Sequence, residues 1–230
     1  MNRQKTTKDW QPKRPAKILL IGHDPRLHKS DTRAEYALFA NYFFQNITRL
    51  QSDRRKFNLA KSAIEMVIYL TANNYSPDEI YITNLYNGIL VAPKRKTVLI
   101  PSDKVKTEIA RLKKIVWNNP TIEYIFPMSL QVNYWLQKYG FYEANNEFLA
   151  DSEPSARGIK NNPPYFQAKK SGTFKLICGQ RFRFNFGNQI VIPILHAKNF
   201  PLKARFYNSY HDCYEGIVNY FIQKNRVGLA

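Results

Sequence analysis

Three short polar clusters each follow an apolar run: His23, Asp24, Arg26 and His28 after 18–21, Asn84 and Asn87 after 79–83, and His196, Lys198 and Asn199 after 189–195. A carboxylate, imidazoles and carboxamides on separate loops are a kit for positioning water and stabilising charge. Asp24 can serve as a general base or steady a cationic transition state. His196 can donate a hydrogen bond to a developing oxyanion. Asn84 and Asn87 each offer a donor and an acceptor together, which is what reading the edge of a base requires. Plainer roles exist for the same residues. Asp24 before Pro25 suits a turn and a helix cap, His196 suits a hydrogen-bonded strand end, and His23 and His28, five apart with no further ligand, make no metal site by themselves.

The elements that must carry these clusters follow from hydrophobic period. Ile18, Leu19, Leu20 and Ile21 form the continuous apolar run of a strand buried on both faces. Further strands are expected over 79–83, 121–126 and 189–195, and helices over 32–46, 54–73, 103–118, 129–139 and 210–224. Gly140 suits a helix stop. Residues 174–178 and 181–186, split by Gly179-Gln180, resemble a hairpin in which Arg181 and Arg183 alternate with Phe182, Phe184 and Phe186. Strand and helix alternate along the chain. That order predicts an α/β fold, three-layer α/β/α, with a central four-stranded, mostly parallel sheet. In such a sheet the three polar clusters share one rim, the carboxyl ends of the strands, where open α/β folds bind ligands.

Length and composition bound the rest. A chain of 230 residues with 44% hydrophobic side chains can build one sizeable core. Residues 1–16 read as a basic flexible arm, 17–230 as a single domain, and about 151–187, rich in Pro, Gly and basic residues up to 172, as a loop and hairpin excursion. Thirty-five Lys and Arg against 17 Asp and Glu leave a net charge of +18. Spread along the whole chain, that charge attracts polyanions, and DNA, single- or double-stranded, is the expected partner. Two cysteines make no disulfide framework and no zinc motif, and the N-terminus has no apolar leader, so a reducing cytoplasm is expected. No apolar run is long enough to span a bilayer. The chain lacks GxGxxG, GxxxxGK[ST], HExxH and GxSxG, so dinucleotide, P-loop, zinc-hydrolase and nucleophile-elbow chemistries lack their signatures. Neither a metal nor another cofactor is expected, and the chain is expected to be a monomer.

The ordered motifs resemble the uracil-DNA glycosylase superfamily. Its first motif, GxDPYH in the best-known branch, stands here as Gly22-His23-Asp24-Pro25-Arg26-Leu27. Tyr81-Ile82-Thr83-Asn84-Leu85-Tyr86-Asn87 is close to the YxTN pattern of other branches, and His196-Ala197-Lys198-Asn199-Phe200 occupies the place of the final histidine motif. The resemblance covers 17 to about 205. It implies a uracil-DNA glycosylase-like fold and hydrolysis of the N-glycosidic bond of a deaminated base flipped out of DNA, the chemistry of base-excision repair. Asp24 would then position water and stabilise the oxocarbenium-like sugar, and His196 would hydrogen-bond the base carbonyl as charge develops. Asn84, with His23 and Asn87 nearby, would read the base, and Phe39 would stack on it. Phe200 would enter the base stack, with Arg26 and Lys198 facing DNA. The chain also departs from the family. Arg26 replaces the tyrosine that excludes 5-methylated pyrimidines, Ala197-Lys198 replaces Pro-Ser, and the four cysteines of the iron–sulfur branches are missing. Two alternatives stand beside the glycosylase: a catalytically inactive nucleic-acid-binding member of the same fold, and an enzyme acting on a small nucleotide.

Overall fold

The computed structural model describes residues 6–23, 26–27, 35–88, 90–91, 100, 102–144, 149, 173–197 and 210–227. Its centre is a sheet of five strands. In chain order these are β1 (Ile18–Gly22), β3 (Ile80–Asn84), β5 (Tyr124–Pro127), β6 (Phe182–Arg183) and β7 (Ile190–Val191), and their spatial order is β3-β1-β5-β7-β6. A separate two-stranded pair joins β2 (Arg26–Leu27) to β4 (Leu90–Val91). The first four sheet strands run parallel and β6 returns antiparallel on β7. Every residue of β1, β3 and β5 is buried, as continuous apolar runs require when helices cover both faces.

The covering helices are α1 (Ala40–Phe44), α2 (Gln51–Leu70), α3 (Ser102–Asn118), α4 (Leu130–Lys138) and α5 (His211–Val227). α2 packs against α5 on one face, where Phe221 meets Tyr124 of β5 at 4.7 Å between ring centres. Moving from β1 leftward to β3 and then rightward to β5 and β7, with right-handed crossovers, puts α3 and α4 on the other face. The result is a three-layer α/β/α arrangement. Val105, Ile109, Leu112 and Val116 on α3 point inward at the helical period, while Lys104, Lys106 and Lys114 point to solvent.

Four expectations change. The sheet has five strands and not four, because 182–183 leaves the expected hairpin and pairs with β7. Its supposed partner, 174–178, is instead a 3-10 turn (Thr173–Leu176) and its continuation, with Phe174, Ile177 and Cys178 buried. The helix expected over 32–46 is broken. Ala37–Phe39 is a 3-10 turn in which Leu38 and Phe39 have φ of 49° and 56°, and only then does α1 begin. Finally, residues 6–10 of the expected mobile arm are paired: Trp10 and Ile82 of β3 exchange both backbone hydrogen bonds at 2.8 and 3.0 Å, Thr6 and Thr7 meet the loop at 87–88, and Lys8 bridges Tyr36 in parallel. The 151–171 excursion lies outside the described residues. Among the described residues no helix is long and apolar enough to cross a membrane.

Candidate functional site

The parallel register sets Gly22 of β1 directly opposite Asn84 of β3, and the two chains stay joined beyond the strands. Leu85 N donates to Gly22 O at 2.7 Å and Tyr86 N to His23 O at 3.2 Å. His23 after β1 and Asn84 at the end of β3 therefore stand at one rim. Gly22 is required there by contact. A Cβ at that position would stand 2.6 Å from Asn84 Oδ1 and 2.7 Å from Leu38 Cδ2.

Asn84 is completely buried, yet among the described residues neither Oδ1 nor Nδ2 has a hydrogen-bond partner. Leaving a buried donor and acceptor unmade costs about 1–3 kcal/mol per group, so folding alone does not explain this amide. Its backbone is firmly held. Arg111 Nη2 donates to Asn84 O at 2.6 Å, while Arg111 Nη1 bonds Thr83 Oγ1 at 3.0 Å and the Asp9 carboxylate at 3.1 Å. Asp9 also accepts from Thr83 Oγ1 at 2.6 Å and Tyr81 OH at 3.3 Å. Burial, then the Asp9 charge, push the Tyr81 hydroxyl well above its ordinary pKa and keep it a donor. A rigid backbone and an unpaired amide together make a preorganised hydrogen-bonding edge.

Around that edge the sequence-expected residues divide. His23 is buried and donates from Nε2 to Gln131 Oε1 on α4, which fixes its ring against the rim. Phe39 is half-buried in its left-handed turn, edge-on to Tyr42 at 6.2 Å, with the Lys56 ammonium 5.9 Å from its ring centre. Two consecutive non-glycine residues at positive φ store backbone strain. Because Leu38 presses on Gly22, that strained turn lies against the same rim. Asn87 does not join it. Its Nδ2 donates to Asp9 at 2.9 Å and its Oδ1 accepts from Thr7 Oγ1 at 3.3 Å, so its amide ties the N-terminal segment to the β3 loop.

His196 is half-buried at the far end of the same rim. The β7 chain continues through a parallel bridge between Ile194 and Met128. With strands about 4.8 Å apart, the β7 end stands roughly 10 Å from the β1 end. His196 thus follows β7 at the carboxyl end of the sheet, the same end at which Asn84 closes β3. The side chains of Asp24, Arg26, His28, Lys198 and Phe200 lie outside the described residues; Arg26 is known only as backbone in β2.

Between the two sides stands a residue that sequence reasoning used only as a helix start. Ser129 follows β5 with φ 84° and ψ 158°, a conformation favoured by glycine, and its buried hydroxyl has no partner among the described residues. It is held there by Ser129 N donating to Ile194 O at 2.9 Å and by Asn133 Nδ2 donating to Ser129 O at 2.8 Å. As the N-cap of α4 it neighbours that helix's free N–H groups, which favour anionic oxygen. The signal that could have found it is positional, since Ser129 stands after the third strand as the other clusters stand after the first, second and fourth.

Among the described residues the rim thus offers an unpaired carboxamide, an imidazole bonded to Gln131 and a hydroxyl beside a helix N-terminus, with the strained Leu38–Phe39 turn packed against it through Leu38. Such a set suits a planar, polar ring carrying an anionic tether. Among the described residues no group of three or more His, Cys, Asp or Glu is arranged to hold a metal ion. Compared with known proteins, the chain matches no family model and no curated sequence.

Proposed function

We propose that this chain is a DNA glycosylase, a divergent member of the uracil-DNA glycosylase superfamily with that family's α/β/α fold, hydrolysing the N-glycosidic bond of a deaminated base flipped out of DNA in the cytoplasm. One observation carries the reading: the fully buried Asn84 amide has an unmet donor and an unmet acceptor at the carboxyl ends of the strands. A uracil-like edge presents the complementary acceptor and donor, so the amide is satisfied only when the base is in place. The order of motifs on β1, β3 and β7 supports the reading, as does a net charge of +18 for binding the phosphate backbone. Phe39 stacks on the extruded ring. The bond between base and sugar breaks with its electron pair leaving on the base, where His196 donates a hydrogen bond to the charged carbonyl. Water adds to the sugar, whose positive charge Asp24 offsets, and the proton that the water sheds neutralises the departing base anion through solvent.

Oligonucleotides containing uracil, hypoxanthine or xanthine, scored for alkali-labile abasic sites, test this. The expected result is release of at least one of these bases by the wild type. Single-turnover rates should fall about 10²–10³-fold in Asn84→Ala, as when one preorganised donor is lost, and further in Asp24→Asn. Wild-type protein that releases none of them overturns the glycosylase. Turnover of a mononucleotide without DNA binding would replace it with the small-nucleotide enzyme.

A further inference from the structure

The end of the sheet opposite Asn84 carries a second surface with its own chemistry. α3 finishes where β5 begins, and the turn after β6 finishes where β7 begins, so both elements meet at the amino ends of the strands. There Trp117 is 58% exposed and Phe186 45% exposed. Their rings meet edge to face, 6.5 Å between centres and 88° between planes, and the Lys113 ammonium sits 3.6 Å from the Phe186 ring centre. Phe186 rests edge-on against buried Phe184 at 5.6 Å, which anchors the pair to the core while both rings stay open to solvent. On the neighbouring stripe of α3, Lys114 and Asn118 line a groove of about 560 Å³ that continues past Arg14, Arg111 and Thr121. Asp9 and Glu108 neutralise Arg111, but among the described residues Arg14 and Lys114 have no carboxylate partner. The strip therefore holds a pair of touching rings with Lys113 over one of them, beside a polar groove that carries Lys114 and Arg14.

We propose that this strip is a binding site for single-stranded DNA, in which Trp117 and Phe186 stack on successive bases while Lys113, Lys114 and Arg14 contact the phosphates. Charge complementarity selects the partner. An apolar protein surface would not seek a rim with unpaired cations, whereas a nucleic-acid strand supplies flat rings and anions at alternating positions. Single strands fit because their bases are unstacked and free to lie on a ring. The site rests on the reading of the chain as a DNA-binding protein but not on catalysis. It is separated from Asn84 by the height of the sheet, roughly 15 Å for a strand of five residues. A strand held here keeps the protein on DNA while the opposite rim engages and releases bases, a gain from effective concentration and not from new contacts at the pocket.

Trp117 is the exposed one of three tryptophans, so its fluorescence reports the site directly. Titration with a short oligothymidylate should quench that emission. Trp117→Ala should bind about tenfold more weakly, within the range for loss of one stacked base, and Trp117→Phe should restore most of the affinity without the quench. Lys114→Glu should lower affinity and reduce the steepness of its salt dependence by about one phosphate contact. The melting temperature should be the same in Trp117→Ala as in the wild type, since the ring is exposed. If Trp117→Ala binds oligothymidylate as tightly as the wild type, the site is overturned while the glycosylase stands. Base release by the wild type together with a missing quench has the same meaning. Tighter binding of oligouridylate than of oligothymidylate would overturn the assignment to DNA, and wild type that binds no DNA in any form overturns both proposals.

Discussion

The Asn84 amide separates stability from function at a single position. Replacing it with a hydrophobic residue of similar size removes two buried polar groups that nothing satisfies. Asn84→Leu should therefore unfold at equal or higher denaturant, with a gain of about 1–2 kcal/mol, while base release is lost; a denaturant melt alongside the abasic-site assay measures both. A merely structural asparagine would show the opposite pattern. Cysteine chemistry gives a second residue-level prediction. The hydrogen bond from Cys178, outweighing burial, lowers Cys213 to about 7, whereas burial pushes the Cys178 thiol up. Near neutral pH, iodoacetamide should modify Cys213 well before Cys178, and Cys178→Ala should slow modification of Cys213; a mass-spectrometric time course decides it. Sequence alone pointed to Asn84, because an amide at a strand end is a recognisable polar token. It could not show that the amide is unpaired, which depends on what surrounds it. Nor could it separate Asn84 from Asn87, three residues on, whose amide is tied to Asp9 and Thr7.

Elements were legible where one local signal dominated. The runs that became β1 and β5 are apolar, the one that became β3 is apolar up to Thr83 and Asn84, and no helix of such a short length would bury every position. The hairpin expectation failed because Phe174, Ile177 and Cys178 are spaced three and four apart, a helical spacing that alternation across Arg181 to Phe186 obscured. The break before α1 was invisible for another reason. Neither Leu38 nor Phe39 is a residue type that favours positive φ, and packing of Leu38 on Gly22 imposes it. The N-terminal segment was misread because basic composition says nothing of backbone pairing. Trp10 stacks on Phe44 at 4.6 Å with planes 7° apart, and Asp9 gathers Thr83, Asn87 and Arg111 behind the Asn84 rim. Asp9→Ala leaves Arg111 partly buried without that carboxylate. It should destabilise the fold by about 2–3 kcal/mol, towards the lower end for a broken buried pair since both side chains keep some solvent contact. Thermal unfolding measures that loss, and base release should fall with it as the Asn84 backbone loosens.

At the scale of the whole molecule, charge sets the response to pH and salt. Glu123, at the start of the sheet, accepts from Lys17 and Lys224, each at 3.0 Å, and from the Tyr75 hydroxyl at 3.2 Å. Burial raises its pKa, but the hydrogen bonds from the two lysines outweigh it and the net direction is downward. A depressed carboxylate contributes stability above its unfolded pKa, about 4.3, and loses it as pH falls through the lower folded value. Chemical denaturation between roughly pH 5 and pH 3 should show that loss, and Glu123→Gln should flatten it. The pairing of the N-terminal segment with β3, through Trp10 and Ile82, has a further consequence. β3 ends the spatial order of the sheet, so without that segment its outward N–H and C=O groups would be open to any other extended chain. Edge strands of this kind template self-association unless something blocks them. A variant beginning at residue 12 should therefore form oligomers and precipitate with rising concentration under conditions where the full chain stays dispersed. Light scattering would follow the change, and the N-terminus would be seen to act as a guard on solubility as much as a brace for the rim.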